Sequence, residues 1–242
     1  ILHIGTEKTG TSSLQKFLQS NRKTLARHGY GYLKSAGLPN NRMLPLAAYD
    51  PTREDEFTRY HGLGSSEELV AFQGSIGAAL KKELLRMPDV HTVVFSSEFL
   101  QSRLRTASEL LRLRQILDAI GFKQFEVLVY LRHPVEIANS LYTTAIKTGG
   151  VKATPPEPDN DYWQNVCNHR RTLLRFSEVF GADSITPRIY SKLDLINGTI
   201  VDDFAAAVGA PGFPDEYTLP RPQNESMTVL GLEILRRVNS RV

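Results

Sequence analysis

Short apolar runs alternate with amphipathic stretches along this chain. Residues 1–4 predict a buried strand, followed by a turn of Gly, Thr and Ser. Ser12-Ser13-Leu14-Gln15 has capping-box spacing, with Ser12 as the predicted N-cap and Gln15 reaching back. Leu14, Phe17, Leu18 and Leu25 then share one helical face, and Gly29 predicts the stop. Residues 30–33 read as a second strand. Ser65-Ser66-Glu67-Glu68 opens a helix that closes near Met87-Pro88. Residues 92–95 form a β-branched and aromatic strand, residues 107–120 a helix ended by Gly121, and residues 125–131 the clearest strand of the chain. Pro134 falls at the first position of the next helix. A helix over 162–180, a strand over 185–190 and helices near 199–208 and 226–238 complete the pattern.

Strand–helix alternation over this length predicts an α/β fold. Its strands should be mainly parallel, joined by right-handed crossovers and covered by helices on both faces, as a three-layer αβα arrangement. At 242 residues the chain is within the range of one such domain over 1–242. Segments 35–64 and 149–161 carry Pro, Gly and polar residues instead of periodicity, and are expected to lie outside the sheet as loops.

Composition narrows the class. The hydrophobic fraction of 41% is ordinary for a globular protein, and no apolar run approaches the roughly 18 residues of a membrane span. The single cysteine, Cys167, permits no internal disulfide and favours a reducing cytoplasm. A net charge of +3 suits an anionic ligand and is too small to imply nucleic acid. The basic pairs Arg22-Lys23, Lys81-Lys82, Arg170-Arg171 and Arg236-Arg237 read as solvated helix faces. The run opens inside a strand-like segment, so a short N-terminal piece is expected to precede Ile1, and further sequence to follow Val242.

The turn after the first strand carries the strongest chemistry. In Gly5-Thr6-Glu7-Lys8-Thr9-Gly10-Thr11-Ser12-Ser13, a strand–turn–helix gathers unpaired backbone N–H groups and the positive end of a helix dipole. Gly10 admits close approach of an anion, the hydroxyls of Thr9, Thr11, Ser12 and Ser13 add donors, and Lys8 adds a full charge. Gly5 and Gly10 have the spacing of a Walker A loop, but position 11 is Thr and the lysine precedes Gly10 by two residues. A phosphate or sulfate site is expected; an ordinary capped turn is the plain alternative. A second candidate lies at 127–142. There an apolar run leads into Arg132-His133-Pro134, and Ser140 follows eight positions after Arg132 on the predicted helix. A strand-end guanidinium offers a forked donor set to a phosphate.

Lys8-Thr9-Gly10-Thr11-Ser12 resembles the 5′-phosphosulfate loop of sulfotransferases that use PAPS, 3′-phosphoadenosine 5′-phosphosulfate. The longer run over 3–11 is similar to the opening of bacterial members. The resemblance implies that Lys8 to Ser13 hold the 5′-phosphosulfate, and that Arg132 and Ser140 hold the 3′-phosphate. It implies that Tyr190 helps hold the adenine, where a core-edge tyrosine is equally consistent. The Arg-Lys-Gly loop of the cytosolic relatives is absent, and Arg221 is the nearest substitute. The resemblance further implies PAPS as sulfuryl donor, PAP as product, no metal, and a hydroxyl acceptor on a carbohydrate or polysaccharide. Segments 35–64 and 149–161 would shape the acceptor site.

Transfer needs a base for the acceptor proton and a cation for the leaving group. Lys8 supplies the second. Glu98, at the end of the strand between the two phosphate elements, is the candidate base, with capping of the next helix or pairing with Arg103 as rival roles. His61 is a second candidate base; His133 reads as structural, and His3 as a hydrogen-bonded core histidine. Two other functions stay open at this point: a nucleotide-dependent kinase on a P-loop-like fold, and a non-catalytic PAP- or PAPS-binding module.

Overall fold

The computed structural model describes residues 1–155, 160–210, 217–219 and 227–241. Its strands are β1 (Leu2–His3), β2 (Tyr30–Gly31), β3 (Thr92–Val93), β4 (Phe95–Ser96), β5 (Val127–Leu131) and β6 (Ile185–Ile189). The α-helices are α1 (Thr11–Ser20), α2 (Arg22–Arg27), α3 (Met43–Ala47), α4 (Glu56–Tyr60), α5 (Ser66–Leu84) and α6 (Phe99–Ser102). They continue with α7 (Ala107–Ile120), α8 (Pro134–Lys147), α9 (Asp161–Cys167), α10 (His169–Phe180), α11 (Ile200–Ala207) and α12 (Val229–Asn239). None of the described helices is long and apolar enough to cross a membrane.

All strand pairs are parallel. Four strands form a sheet in the order β4-β1-β5-β6, and β2 pairs with β3. The strand expected over 92–95 serves both sheets. Val94 N–H donates to the Gly31 carbonyl (2.8 Å), and the next residue, Phe95, donates to the Ile1 carbonyl (2.9 Å). The run therefore changes partner at Val94, which is why it appears as two short strands.

Side chains of β5 alternate between two cores. Val127 and Val129 pack with Leu80, Leu110, Leu113 and Phe176 on one face, whereas Leu128 and Tyr130 pack with Leu14, Phe17 and Phe204 on the other. Helices cover both faces, which is the expected three-layer α/β arrangement with a parallel sheet.

Several expected elements differ in detail. Ser12 does not cap α1. The cap is Gly10, in the left-handed conformation and without a side-chain hydrogen bond, and Gln15 turns into the protein instead of reaching back. The first helix breaks at Asn21, whose side chain donates to the Phe17 carbonyl (2.8 Å). Segment 35–64 contains α3 and α4, the latter opened by a capping box at Asp55. The helix expected over 162–180 is interrupted at Asn168, whose side chain accepts the Arg171 N–H (2.9 Å) and restarts the chain as α10. The helix expected to open at Ser65-Ser66-Glu67-Glu68 does so behind a Ser65 capping box, and Thr106 caps α7 in the same way. The last helix starts at Val229 behind a Thr228 cap, and the expected start near residue 226 lies outside the described residues.

Candidate active site

The loop from Gly5 to Gly10 leaves the C-terminal end of β1 and enters α1. Its own threonines hold it. Thr6 Oγ1 donates to the Tyr130 carbonyl on β5 (2.7 Å), and Thr9 Oγ1 donates to the Thr6 carbonyl (2.6 Å). Thr9 is fully buried, and its hydroxyl is engaged within the loop. Lys8 adopts φ 67° and Gly10 φ 73°. A left-handed lysine is uncommon and reports a backbone held by its surroundings. At Gly10 a Cβ would lie 2.9 Å from Tyr190 Oη, so only glycine fits between the loop and that ring. Because Gly10 offers no side chain, no side chain caps α1; the Ser13 N–H donates to the Gly10 carbonyl (3.0 Å), and the helix start concentrates positive potential. Thr11 is buried, while Ser12 is exposed and Ser13 half-exposed.

Arg132 follows β5 directly. Its Nη1 donates to the Lys8 carbonyl (2.8 Å), and its Nε pairs with Glu136 Oε2 one helical turn on (2.9 Å). The same guanidinium thus forms a surface ion pair and clamps the loop. Its Nη2 has no partner among the described residues. Lys8 Nζ reaches across to Thr144 Oγ1 on α8 (2.7 Å). Thr144 in turn donates to the Ser140 carbonyl one turn earlier on α8 (3.0 Å), and i, i+4 spacing puts the two residues on one face of that helix. Sequence reasoning found Ser140 and missed Thr144, although i, i+4 spacing from Ser140 was the available signal. Burial, Arg132 and Lys147 together lower the Lys8 pKa from the usual lysine range, against an opposing pull from Glu7. Tyr190, just past β6, lies with its ring centroid 5.7 Å from the Arg132 guanidinium. Its N–H donates to the Leu131 carbonyl (2.8 Å), which fixes it beside the end of β5. Lys8, Gly10, Arg132, Ser140 and Tyr190 are thus brought together; Arg221 lies outside the described residues.

Glu98 follows β4 at the start of α6. The rival roles are not realised: Glu98 makes no side-chain cap, and Arg103 lies over the rings of Phe57 and Phe99 instead. The carboxylate accepts from Gln15 Nε2 (2.8 Å) and, more loosely, from Asn40 Nδ2 (3.4 Å). Asn40 Oδ1 accepts from Arg42 Nε (3.0 Å), so segment 35–64 does supply side chains to this end of the site.

A second carboxylate, Glu7, stands in the loop itself. Tyr162 Oη donates to its Oε2 (2.6 Å), tying α9 to the loop. Burial and the charge of Glu98 raise the Glu7 pKa, while the Tyr162 bond, Arg103 and Lys8 oppose the rise. Sequence reasoning missed Glu7 because a loop carboxylate beside a lysine carries no pattern of its own.

The histidines separate clearly. His61 lies edge-on to Phe57 at 5.0 Å, and burial and Arg42 lower its pKa. His133 is exposed at the start of α8. His3 is fully buried between Tyr130 and Phe204, with Nδ1 on Ser96 Oγ at 2.8 Å, and burial lowers its pKa to about 3. It is the core histidine expected from sequence. Among the described residues no group of three or more His, Cys, Asp or Glu side chains is arranged to hold a metal.

No protein-family model matches the chain, and a search of curated proteins finds no match. Among solved structures, the fold is similar to the crystal structure of a sulfotransferase from Alicyclobacillus acidocaldarius. The TM-score is 0.52 at 17% identity, covering 99% of this chain and 90% of that one. At this identity the likeness shows the shared fold, with its parallel sheet and flanking helices.

Proposed function

We propose that this protein transfers a sulfuryl group from PAPS to a hydroxyl of a carbohydrate acceptor in a cytoplasmic, bacterial setting. One observation carries the reading: the uncapped start of α1, the Lys8 ammonium and the strand-end Arg132 converge, with Arg132 bonded to the Lys8 backbone at 2.8 Å. Two separate anion-binding devices on one wall suit a ligand carrying two separated anionic groups. The fold shared with a sulfotransferase and the loop's resemblance to the phosphosulfate loop support the same donor.

The residues fit such a ligand. The first-turn amides of α1 and the hydroxyls of Thr11, Ser12 and Ser13 receive the 5′-phosphosulfate. Arg132 Nη2 and the Ser140 hydroxyl receive the 3′-phosphate, and Tyr190 forms a wall beside them for the adenine. Arg221 is the proposed further cation for the 3′-phosphate. In the transfer, the acceptor oxygen forms a bond to sulfur as the bond between sulfur and the bridging oxygen breaks. The bridging oxygen leaves with the electron pair on the 5′-phosphate of PAP. Lys8 stabilises that developing charge, and Glu98 takes the acceptor proton. Gln15 and Asn40 donate to the Glu98 carboxylate and so fix its position.

The acceptor side is polar. Gln15 and Asn40 bond to Glu98, Arg42 bonds to Asn40, and Glu7, bonded to Tyr162, interacts electrostatically with Glu98 and Arg103, a set better suited to a polyhydroxylated sugar than to a flat phenol. The test is transfer of labelled sulfuryl from PAPS to a panel of saccharides and phenols by wild type and Lys8→Ala. Saccharide labelling that Lys8→Ala loses supports the reading. Phenol labelling alone overturns the acceptor, and labelling retained by Lys8→Ala overturns the role of the loop.

A further inference from the structure

Next to this site, α2, the segment after β2 and the end of α5 enclose a groove of about 630 Å³. Arg22, Lys23, Lys34, Lys82 and Arg86 line it, with Glu83 as the sole acid. Five cations against one carboxylate leave a local charge of +4, whereas the whole chain carries +3. Two of the basic pairs that read as separate solvated faces therefore contribute to one surface.

The groove is built on a fixed base. Glu83 Oε1 accepts from Arg22 Nη2 (3.0 Å) and the Lys34 N–H (2.9 Å), and its Oε2 accepts from the Ser35 N–H (2.8 Å) and Oγ (2.6 Å). Arg22 Nε donates to the Tyr32 carbonyl (2.6 Å). The one carboxylate is thereby consumed internally, and these donors hold its pKa below the ordinary range. Lys23, Lys34, Lys82 and Arg86 are exposed and have no carboxylate partner among the described residues. Cations at the last turn of α5 also complement its dipole, but that accounts neither for Lys23 on α2 nor for Lys34.

We propose that this groove binds a linear anionic saccharide, through sulfate or carboxylate groups spaced along its chain. The other lining side chains are Ser35, Ala26, Ala79 and Met87, so no aromatic ring is present on which a nucleic-acid base would stack. Three of the four unpaired cations are lysines, mobile point charges that tolerate irregular spacing of the anions. A chain of hydrogen bonds runs from the groove to the candidate site: Arg22 Nε donates to the Tyr32 carbonyl, Tyr32 Oη donates to the Pro39 carbonyl, and the next residue, Asn40, donates to Glu98 (3.4 Å). The choice of a saccharide rests on the proposed function. Sulfuryl transfer to a polymer adds negative charge to it, and a cationic groove beside the site would hold the stretch already modified.

The test uses fluorescent dextran sulfate as probe, with neutral dextran and a single-stranded oligonucleotide of matched charge as comparisons. Lys82→Glu/Arg86→Glu reverses two rim charges. Lys123→Glu/Arg170→Glu makes the same net change elsewhere, and thermal melts check that both variants fold. The groove variant is expected to bind dextran sulfate at least about tenfold more weakly, with the slope of log K against log salt reduced by about two; the control should shift less than about twofold. Equal losses in both variants, binding of neutral dextran as tight as the sulfated form, or a tighter oligonucleotide would each overturn the proposal. PAP affinity, measured on the same proteins, separates the two readings. Absent PAP binding with groove-dependent dextran sulfate binding removes the sulfuryl-transfer reading and upholds the groove.

Discussion

Arg132 donates through Nη1 to the carbonyl oxygen of Lys8 at 2.8 Å, joining two segments 124 residues apart in sequence. The guanidinium that closes β5 thus holds the backbone of the residue whose ammonium faces Thr144. The two anion-binding devices form one unit, and disturbing either should be felt at the other.

Lys8 and Thr144 test the leaving-group role. Lys8→Ala is expected to lower the rate of transfer about 10²–10³-fold, the usual effect of removing one stabiliser of developing charge. Thr144→Val removes only the partner that positions Nζ, and should cost less than about tenfold. Single-turnover rates with saturating PAPS check both. Comparable losses in the two variants would mean that the position of the ammonium, not its charge, dominates.

Glu98→Gln keeps the shape of the side chain and removes the base. A loss of about 10²–10⁴ in turnover with PAP affinity unchanged is expected for general-base work. An unchanged rate by the same assay would move the role to Glu7 or His61.

Glu7 should ionise above the ordinary carboxylate range, because burial and Glu98 outweigh the Tyr162 bond, Arg103 and Lys8. Tyr162→Phe removes a donor to the ionised form, so the Glu7 midpoint should rise further. Carbon-13 NMR of the carboxyl, titrated in both proteins, reads this directly. A midpoint that falls in Tyr162→Phe would contradict the assignment.

His3 links stability to pH. Its folded pKa of about 3 lies below the unfolded value of about 6.5, so between these values the unfolded chain binds a proton that the folded one does not. The stabilising contribution is complete above about pH 6.5 and declines as pH falls, by at most about 1.4 kcal/mol per pH unit. Denaturant melts of wild type and His3→Gln across that window should show a shallower decline in the variant. Parallel curves would show that His3 titrates alike in both states.

Gly10→Ala tests the loop's fit against Tyr190. The new Cβ would stand 2.9 Å from Oη and 3.2 Å from Cε2 at a φ of 73°. A loss of about 1–3 kcal/mol is expected from the strained backbone together with overpacking. Tyr190→Phe in the same chain should recover only part of it, because the ring carbon remains; full recovery in thermal melts would place the clash at the hydroxyl alone.

Much of this architecture was legible because it rests on local signals. Ser65 announces its cap with an acid three residues on, and residues 127–131 are apolar on both faces because both faces of the sheet are covered. The pairing of Arg132 with the loop could be expected, since each stands at the end of a parallel strand and β1 neighbours β5. The false cap at Ser12 had a physical cause. Gly10 in the left-handed region already starts the helix two residues earlier, and Gln15 binds Glu98 instead. Glu7 with Tyr162, and Lys8 with Thr144, are contacts 155 and 136 residues apart, which no local pattern encodes. The basic groove was hidden likewise, because Lys23, Lys34 and Lys82 belong to three segments that only folding brings together.

The central claim is that Arg132 and the loop of Lys8 bind separate anionic groups of one nucleotide. Calorimetry of PAP and of ADP, without added divalent metal, on wild type and Arg132→Ala tests it directly, since the two ligands differ in where the second phosphate sits. The account predicts PAP bound much more tightly than ADP, with a loss of about 1.5–3 kcal/mol for PAP in the variant from one charge-assisted contact. Equal affinities for the two nucleotides, or a PAP affinity indifferent to Arg132→Ala, would contradict it.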